Sequence, residues 1–327
     1  MMNILVTGGA GYIGSVCSAQ LIKLGHSVVV VDDLSTGFEE SIPDGVKFFK
    51  TDIKNGQTIR GILRENPVDA VFHFAAKALI PESMSNPGLF FNENVASGIA
   101  LLEELRHMGI RKFIFSSSAA VYGNPETVPI VEDARKDPVN SYGETKLMFE
   151  RILSWYSRAY GWGIAALRYF NACGAAGELG ERHHPETHII PLLLQAALRE
   201  RKDFTIYGDD YPTPDGTCLR DYVHVLDIAD AHILAMQDLA SPGMHIYNIG
   251  TGKSRSVHEV VGIAERVTGV RIPVRVSEKR PGDPAILCAS PLKLMQRLGW
   301  RPNHSDLDEI VKSAWDFQVN SKKVFSR

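Results

Sequence analysis

Tyr142 and Lys146 are the first residues in this sequence that could carry out chemistry together. Residues four apart lie on one face of a helix, so both side chains can point at one site. A free phenol has a pKa of about 10 and is a poor base near neutrality, but a nearby positive charge stabilises the phenolate. Lowering that pKa to about 7 takes roughly 4 kcal/mol. Ser118, at the end of a predicted strand, can hold a substrate hydroxyl and share the proton.

A glycine-rich turn follows the first predicted strand and opens the first predicted helix, in the sequence TGGAGYIG of Thr7–Gly14. Gly8 permits a tight turn, Gly11 lets backbone N–H groups approach a pyrophosphate, and Gly14 lets the helix pack close to the sheet. The helix N-terminus adds partial positive charge at the phosphate. Strand, glycine loop and helix in this order predict a dinucleotide-binding site.

The second predicted strand leads into two carboxylates, Asp32 and Asp33. A carboxylate at this position accepts hydrogen bonds from the adenosine ribose hydroxyls and repels a 2′-phosphate. No arginine follows immediately. The sequence therefore predicts NAD, and not NADP, as the cofactor.

Short apolar runs alternate with helical stretches through the first half of the chain, which implies a parallel sheet with helices on both faces. We predict an α/β fold with two parts: a Rossmann-type doubly wound parallel sheet over 1–175 and a smaller C-terminal α/β substrate domain over 176–327. The predicted strands are Asn3–Thr7, Val28–Val31, Val46–Phe49, Ala70–Phe74, Phe113–Phe115 and Ile164–Phe170, and the predicted helices of this half include Tyr12–Leu24 and Tyr142–Tyr160.

The regular alternation ends near Asn171, where loops rich in Gly, Pro and His appear at Gly174–Pro185 and Gly208–Gly216. We expect some elements of this half to return to the main sheet. Helices are predicted at Leu192–Arg201, Ile228–Leu239, Val257–Thr268, Leu292–Leu298 and Leu307–Val319.

Composition narrows the class of protein. The chain has 327 residues, is 44% hydrophobic and carries a net charge of -3. This suits a sizeable core and argues against nucleic acid or a membrane surface as the partner, since both usually require a basic excess. No run approaches the roughly 18 apolar residues of a membrane span. The four cysteines form no CxxC pair, which predicts reduced thiols in a cytoplasmic protein.

One histidine-rich segment could be a metal site, because His183, His184 and His188 are close in sequence to Glu181 and Glu186. No cysteine lies near, and both glutamates belong to the same predicted loop. We therefore interpret the segment as a solvent-facing loop and predict no metal.

Several segments together resemble the UDP-glucose 4-epimerases of the extended short-chain dehydrogenase/reductase family. The resemblance covers nearly the whole chain, and its second half is the more specific. The matching segments are TGGAGYIGS (Thr7–Ser15), HFAA (His73–Ala76), SSSAAVYG (Ser116–Gly123), SYGETK (Ser141–Lys146), RYFNACGA (Arg168–Ala175), HPETHIIP (His184–Pro191), YGDDYPTPDGTCLRDYVHV (Tyr207–Val225), HIYNIGTG (His245–Gly252) and RPGDPA (Arg280–Ala285).

The resemblance implies a reaction in which NAD stays bound and is regenerated. The tyrosine that matches the family base, Tyr142, takes the proton from the sugar 4-hydroxyl while hydride passes from C4 to NAD. The 4-keto sugar then turns its other face to the cofactor, hydride returns, and the configuration at C4 is inverted. For the sugar to turn without leaving, the protein must bind the nucleotide tightly and the sugar weakly.

The resemblance also implies the cofactor contacts. Lys77 stands one place earlier than the family's lysine, so we do not transfer that lysine's contact to it. Besides Gly8, Gly11, Gly14, Asp32, Asp33, Tyr142 and Lys146, the implied cofactor residues are Tyr12, Ile13, Leu34, Ser35, Thr36, Gly37, Asp52, Ile53, Phe74, Ala75, Ala76, Asn94, Ser116 and Phe170.

On the substrate side, the resemblance places Arg220 and Arg280 at the diphosphate, Asp283 at the uridine ribose and Tyr207 at the uracil. An ion pair with the adjacent Asp221 is a rival role for Arg220. The size of residue 287 helps decide whether an N-acetyl group at C2 of the sugar fits. Leucine is of intermediate size, so UDP-N-acetylhexosamines remain alternative substrates. The remaining implied substrate residues are Ser118, Tyr142, Asn171, His188, Ile189 and Tyr222.

Individual residues distinguish other functions that this fold can carry. A nucleotide-sugar dehydratase or decarboxylase of this fold carries an acidic residue after the serine strand, where this chain has Ala119 and Ala120. A non-catalytic NAD-sensing protein would be expected to lose Tyr142 or Lys146. Epimerisation of UDP-pentoses or UDP-uronates would use the same catalytic residues and stays open.

The resemblance further implies a homodimer built on the helices around Asn94–His107 and Tyr142–Tyr160. Four apolar side chains of the second helix suit either a dimer contact or the core: Leu147, Phe149, Leu153 and Trp155.

Overall fold

The computed structural model describes residues 1–280 and 283–325. Its strands, in chain order, are β1 (Asn3–Thr7), β2 (Ser27–Asp32), β3 (Lys47–Lys50), β4 (Ala70–His73), β5 (Lys112–Ser118), β6 (Gly163–Tyr169), β7 (Asn171–Cys173), β8 (Phe204–Tyr207), β9 (Leu219–His224), β10 (Gly243–Ile249), β11 (Ser254–Ser256), β12 (Val274–Ser277) and β13 (Ile286–Leu287).

The α-helices are α1 (Tyr12–Lys23), α2 (Gly56–Glu65), α3 (Ile80–Ser85), α4 (Pro87–Phe91), α5 (Ser97–His107), α6 (Ser141–Tyr160), α7 (Ile189–Ala197), α8 (Val225–Gln237), α9 (Val257–Thr268), α10 (Leu292–Leu298) and α11 (Leu307–Phe325). A turn of π-helix at Asn92–Ala96 precedes α5. Within the described residues, no helix combines the length and the apolar content that crossing a bilayer requires.

Seven strands form one parallel sheet in the order β10-β6-β5-β4-β1-β2-β3. Side chains of α1 and α8 pack on one face of this sheet, and those of α2, α5 and α6 pack on the other. The strand order reverses between β1 and β4, which creates the crevice at which such sheets bind ligands. The predicted Rossmann-type doubly wound fold is confirmed.

The central strand β1 shows why the sheet has this layered arrangement. Ile4 and Val6 join the apolar cluster with α1 and α8, whereas Leu5 joins the cluster with α2, α5 and α6. All three side chains are fully buried. Side chains alternate between the faces of a strand, so a strand covered on both faces is apolar throughout.

The second half of the chain adds smaller sheets and one strand of the main sheet. β10 lies parallel to β6 at the edge of the main sheet. β9 pairs with β11, β13 and β7, and β8 pairs with β12. Because β7 belongs to the first half and β9 to the second, this pairing ties the two halves together beside the crevice. The division of the chain at residue 175 stays a prediction.

The predicted helix Leu192–Arg201 is wrong at both ends, because α7 spans Ile189–Ala197. Pro191 lies in the first turn of α7, where its missing N–H costs no helical hydrogen bond. The helix stops before Arg199, which adopts a left-handed φ of 61°. The proline therefore lies inside the start of the helix and does not precede it.

Three buried histidines lie close to the sheet. Burial lowers the pKa of His73 to about 3, and it lowers the pKa values of His224 and His232 to about 4. His73 contacts Thr7 Oγ1 through Nδ1 at 2.7 Å and packs against Phe115. These rings are therefore neutral in the folded protein at neutral pH.

We expect the free energy of unfolding to fall as the pH drops from about 6.5 towards 4. In this range the three histidines are protonated in the unfolded chain but stay neutral in the folded protein, which favours unfolding. Replacing His73 by Gln should reduce the slope of stability against pH by up to about 1.4 kcal/mol per pH unit. Urea denaturation at several pH values measures the slope, with the exposed His258→Gln as control. An unchanged slope in the His73 variant would contradict the assignment.

Candidate active site

A cleft of about 1050 Å³ runs along the carboxyl ends of the main-sheet strands and continues under the loops of the second half. Parallel strands bring these ends to one edge of the sheet, where ligands bind. All the residues predicted for catalysis, cofactor and substrate line this cleft except Leu34 and Asn94. Residues distant in sequence, such as Gly8 and Leu287, are thus brought to one cavity.

The glycine loop between β1 and α1 leaves space for a ligand at one glycine. Gly8 has a φ of +73°, and a Cβ there would lie 2.5 Å from Ala75 N. A Cβ on Gly14 would lie 2.2 Å from Gly8 O, so the fold itself requires both glycines. A Cβ on Gly11 would meet only Gly8 O, at 3.3 Å. The open side of Gly11 therefore fits a pyrophosphate approaching the backbone.

Asp32 at the end of β2 is fixed by two backbone N–H groups. Its Oδ2 accepts a hydrogen bond from Ala10 N at 3.0 Å, and its Oδ1 accepts one from Leu34 N at 2.8 Å. Burial raises the pKa of this carboxyl. Leu34 adopts a φ of 59°, which is rare for a bulky residue, and its side chain does not line the cleft. Leu34 therefore shapes the turn that presents Asp32 and Ser35.

Tyr142, Lys146 and Ser118 converge in the cleft. Lys146 Nζ donates a hydrogen bond to Ser116 O at 2.8 Å and lies 5.7 Å from the centroid of the Tyr142 ring. The Ser118 hydroxyl lies within hydrogen-bonding reach of the Tyr142 phenol. The arrangement can hold a substrate hydroxyl between a phenol and a serine, with an ammonium close behind.

Close docking of α6 on the turn after β5 produces this convergence. Asn140 caps the helix, because its Oδ1 accepts a hydrogen bond from Gly143 N at 2.8 Å. A Cβ on Gly143 would lie 2.5 Å from Ala120 O. Only glycine at this position lets the first turn of α6 approach Ser118 so closely.

In the chain alone, burial opposes the charged form of both Tyr142 and Lys146. Burial raises the pKa of Tyr142, and the Ser118 hydroxyl opposes that effect only in part. Burial lowers the pKa of Lys146 to about 7, although Glu150 opposes it. That nearby positive charge, from Lys146 together with a bound nicotinamide, stabilises the Tyr142 phenolate stays a prediction. A further positive charge in the cleft is needed to stabilise the phenolate.

Glu150 and Arg168 form a buried ion pair close to Lys146. Arg168 Nη2 lies 2.6 Å from Glu150 Oε2, and both side chains are almost fully buried. Ser117 Oγ donates to Glu150 Oε1 at 2.5 Å, and Arg168 Nη1 donates to Tyr122 OH at 2.8 Å. Breaking a buried pair of this kind leaves an uncompensated charge, so the network fixes α6 against β5 and β6.

Asn94 lies behind the cleft wall and acts through the backbone of Lys77. Lys77 N donates to Asn94 Oδ1 at 2.7 Å, and Asn94 Nδ2 donates to Lys77 O at 2.9 Å and to Thr145 Oγ1 at 3.1 Å. Asn94 therefore joins the loop after β4 to α6. The Lys77 ammonium itself lines the cleft and donates to Ser35 Oγ at 3.2 Å.

Arg220 and Asp221 point in different directions from β9. Arg220 pairs with Asp283 in the cleft, so the rival ion pair with Asp221 is wrong. Asp221 is fully buried and accepts hydrogen bonds from the N–H groups of Thr251, Gly252 and Ala289. Alternation along the strand directs one side chain to the ligand cleft and the other to the loops that support it.

Arg280 stacks on the ring of Tyr207, with its guanidinium carbon 3.9 Å from the ring centroid. Two guanidinium groups, from Arg220 and Arg280, therefore line the same end of the cleft and suit a diphosphate. Pro281 and Gly282 of the RPGDPA segment lie outside the described residues. The other predicted substrate residues that line this part are Asn171, His188, Ile189, Tyr222, Asp283 and Leu287.

The histidine-rich segment is not a purely solvent-facing loop, so that prediction is wrong. The side chains of Glu181 and Glu186 are only 10% and 6% exposed, and both line the cleft together with His183 and His188. Each glutamate accepts hydrogen bonds from backbone N–H groups that follow it in the chain. These local turns bend the segment inward, and His184 and His188 are more exposed than His183.

Sequence reasoning missed an apolar wall of the cleft made by Leu79, Ile80, Pro81, Met84 and Val139. Met84 is 62% exposed and Ile80 is 46% exposed. The signal in the sequence was the run ALIPESM, which is largely apolar although it lies outside the predicted strands and helices. Such residues have no core to join, so they mark a ligand surface.

Gly11→Ala and Gly14→Ala should have opposite consequences. Gly14→Ala forces a Cβ against backbone and should cost about 1–3 kcal/mol of stability. Gly11→Ala should leave the cofactor-free protein near wild-type stability but weaken NAD binding at least about tenfold, or roughly 1.4 kcal/mol. Thermal unfolding without cofactor and NAD titration measure the two effects. Wild-type NAD affinity in Gly11→Ala would show that the open side of Gly11 is not the pyrophosphate site.

Comparison with known proteins extends the similarity to almost the whole chain. A UDP-glucose 4-epimerase of Lacticaseibacillus casei is 46% identical over 327 residues, covering 99% of each chain. The crystal structure of UDP-glucose 4-epimerase from Brucella ovis in complex with NAD has a TM-score of 0.93 and 43% identity, covering 96% of this chain and 98% of the other.

A second solved structure is UDP-glucose-4-epimerase from Stenotrophomonas maltophila with bound NAD and formylated UDP-arabinopyranose. Its TM-score is 0.95 at 37% identity, and the match covers 99% of this chain and 100% of the other. The sequence profile of the NAD dependent epimerase/dehydratase family matches residues 4–250. These matches confirm the resemblance drawn from the motifs, and the chain belongs to the NAD dependent epimerase/dehydratase family.

Proposed function

We propose that this chain is a UDP-glucose 4-epimerase, which interconverts UDP-galactose and UDP-glucose through a 4-keto intermediate with tightly bound NAD. One observation carries the proposal. Tyr142, Lys146 and Ser118 meet in a cleft that has the glycine loop at one end and Arg220 and Arg280 at the other. A hydride acceptor and a nucleoside diphosphate can thus both reach one proton-transfer site.

The catalytic residues divide the proton chemistry between them. NAD, when bound, supplies the reversible hydride acceptor and a positive charge. Tyr142 removes the proton from the sugar 4-hydroxyl, and Ser118 holds that hydroxyl in place. Lys146 stays fixed by Ser116 O and stabilises the phenolate. The same tyrosine returns the proton after the 4-keto sugar has turned, so no residue is consumed in the cycle.

The contrast between the two ends of the substrate region supports inversion at C4. Arg220 and Arg280 offer forked donors to the diphosphate, so that part of the substrate is held firmly. The wall formed by α3 residues such as Ile80 and Met84 is apolar. An apolar wall offers the sugar hydroxyls no fixed partners, which leaves the ring free to rotate about its link to the diphosphate.

Other reactions of the family fit the site less well. A dehydratase or decarboxylase needs an acid beside Ser118, but Ala119 and Ala120 occupy the turn that contacts α6. A non-catalytic NAD sensor would not need Tyr142 and Lys146 in this geometry. Leu287 lines the cleft and is partly exposed, so substrates with an N-acetyl group, or UDP-pentoses and UDP-uronates, are second candidates.

The purified protein should convert UDP-galactose to UDP-glucose without added NAD, and Tyr142→Phe should lower kcat about 10²–10⁴-fold because the proton acceptor is lost. NMR of the sugar products measures conversion, and released NAD measures cofactor content in both proteins. Wild-type NAD content in the variant assigns the loss to chemistry.

The same assay with UDP-N-acetylgalactosamine, a UDP-pentose and a UDP-uronate ranks the alternative substrates. Turnover of one of these without turnover of UDP-hexoses would overturn the proposed substrate. Full activity of Tyr142→Phe would overturn the proposed base.

We also propose that the protein is a homodimer formed through α5 and α6. Of the four side chains considered for this surface, Leu147, Phe149 and Leu153 are buried in the core, whereas Trp155 is 67% exposed. Ile99 on α5 and Tyr160 at the end of α6 are 37% and 43% exposed. Exposed large apolar side chains on these two helices suit an interface. The predicted cytoplasmic location, in keeping with four free cysteines, stays a prediction.

Trp155→Glu should shift the protein from dimer to monomer, because a carboxylate cannot be buried unpaired in an apolar interface. Light scattering after size exclusion measures the mass. Leu292→Glu is the matched control, since Leu292 is similarly exposed, at 59%, on the distant α10. A Trp155 variant with the same mass as wild type would place the interface elsewhere.

A further inference from the structure

The inward-bent loop between β7 and α7 places two imidazoles and two carboxylates on the wall of the cleft. We call Glu181, His183, Glu186 and His188 the loop cluster. The proton chemistry proposed above uses none of the first three. Two imidazole nitrogens and a buried carboxylate oxygen form a donor set that transition metals bind once the rings have lost their protons.

The spacing within the loop cluster suits a small cation. One ring nitrogen of His183, one of His188 and one carboxylate oxygen of Glu181 all lie within 4.8 Å of one another. Glu181 Oε1 lies 2.5 Å from His183 Nδ1. Tetrahedral Zn²⁺ with bonds of about 2.0–2.2 Å holds its ligand atoms roughly 3.4 Å apart. The 2.5 Å separation is shorter than that value and no separation exceeds 4.8 Å, so small side-chain rotations suffice.

Two further observations concern the ring nitrogens of the loop cluster. His183 Nδ1 is buried without a hydrogen bond of acceptable geometry, although Glu181 is adjacent. Glu186 Oε1 lies 2.8 Å from His188 Nδ1 and also accepts hydrogen bonds from Thr187 N and His188 N. A carboxylate that holds one ring nitrogen orients the other for a metal, as outer-shell carboxylates do in zinc proteins.

We propose that Glu181, His183 and His188 bind a zinc-class divalent cation in the wall of the substrate cleft, with Glu186 orienting His188. Two nitrogen ligands favour Zn²⁺ or Co²⁺ over Mg²⁺ and Ca²⁺, which prefer oxygen ligands. Three protein ligands leave one coordination position for water or a ligand oxygen. The site is a binding site on the cleft wall, and the epimerisation chemistry does not require it.

The test is titration of the NAD-bound protein with Zn²⁺ by calorimetry, and with Co²⁺ by visible absorption, in the absence of any nucleotide sugar. We expect one equivalent of tight binding, intense absorption typical of four-coordinate Co²⁺, and no competition from excess Mg²⁺. His183→Ala and Glu181→Gln should each weaken binding by at least about tenfold.

His184→Ala is the matched control, because His184 is exposed, lies next to His183 and is not in the loop cluster. It should bind the metal like wild type. Unfolding temperature verifies that each variant is folded, and His183→Asn replaces any variant that is not. The proposal is overturned by absence of Zn²⁺ binding, or by equal binding in the His183, Glu181 and His184 variants. Because no sugar substrate is present, either result is independent of the epimerase assay.

Discussion

The buried ammonium of Lys146 is the constraint on which the rest of the active site depends. Its side chain is almost fully out of water, and burial lowers its pKa to about 7. A charge removed from water needs compensation, here from Ser116 O and from Glu150 one turn further along α6. Glu150 needs compensation in turn, which Arg168 of β6 provides. The catalytic pair therefore requires that α6, β5 and β6 keep one fixed register.

The second constraint is that two halves of the chain must meet across the cleft. Pairing of β7 with β9 achieves this, and Asp221 fixes β9 by binding backbone N–H groups from Thr251, Gly252 and Ala289 with one buried carboxylate. These contacts hold the loop after β10 and the segment after β13 beside β9. Arg220, on the opposite side of the same strand, is thereby presented to the cleft. A structural aspartate and a ligand-binding arginine thus depend on one strand.

The cleft combines rigid and permissive walls. The glycine loop, Asp32 and the Glu150 network are held by backbone contacts or buried ion pairs, and they suit a cofactor that stays bound through many cycles. The α3 wall is apolar and exposed, which suits a sugar that must turn. The loop cluster is a third kind of wall, with donors for a cation where the sequence predicted only solvated side chains.

Much of the fold could be predicted from sequence because its signals are local. The apolar run at β1, the glycines at Gly8, Gly11 and Gly14, and the spacing of Tyr142 and Lys146 each depend on a few neighbouring residues. Parallel strands then bring their carboxyl ends together, so the cofactor end of the cleft follows with little further information. The start of α7 was misplaced because Pro191 is compatible with a first turn as well as with a loop.

The tertiary structure decided what depends on contacts distant in sequence. Asn94 was predicted to contact the cofactor, yet its side chain forms hydrogen bonds with the Lys77 backbone and Thr145 Oγ1. Arg220 pairs with Asp283 and not with its neighbour Asp221, because adjacent residues of a strand face opposite ways. The sequence by itself determined the fold class, the cofactor type and the helical spacing that places Tyr142 and Lys146 on one face of α6. Burial and long-range pairing decided the electrostatic surroundings of these two residues, because a local sequence pattern shows neither desolvation nor a partner many residues away.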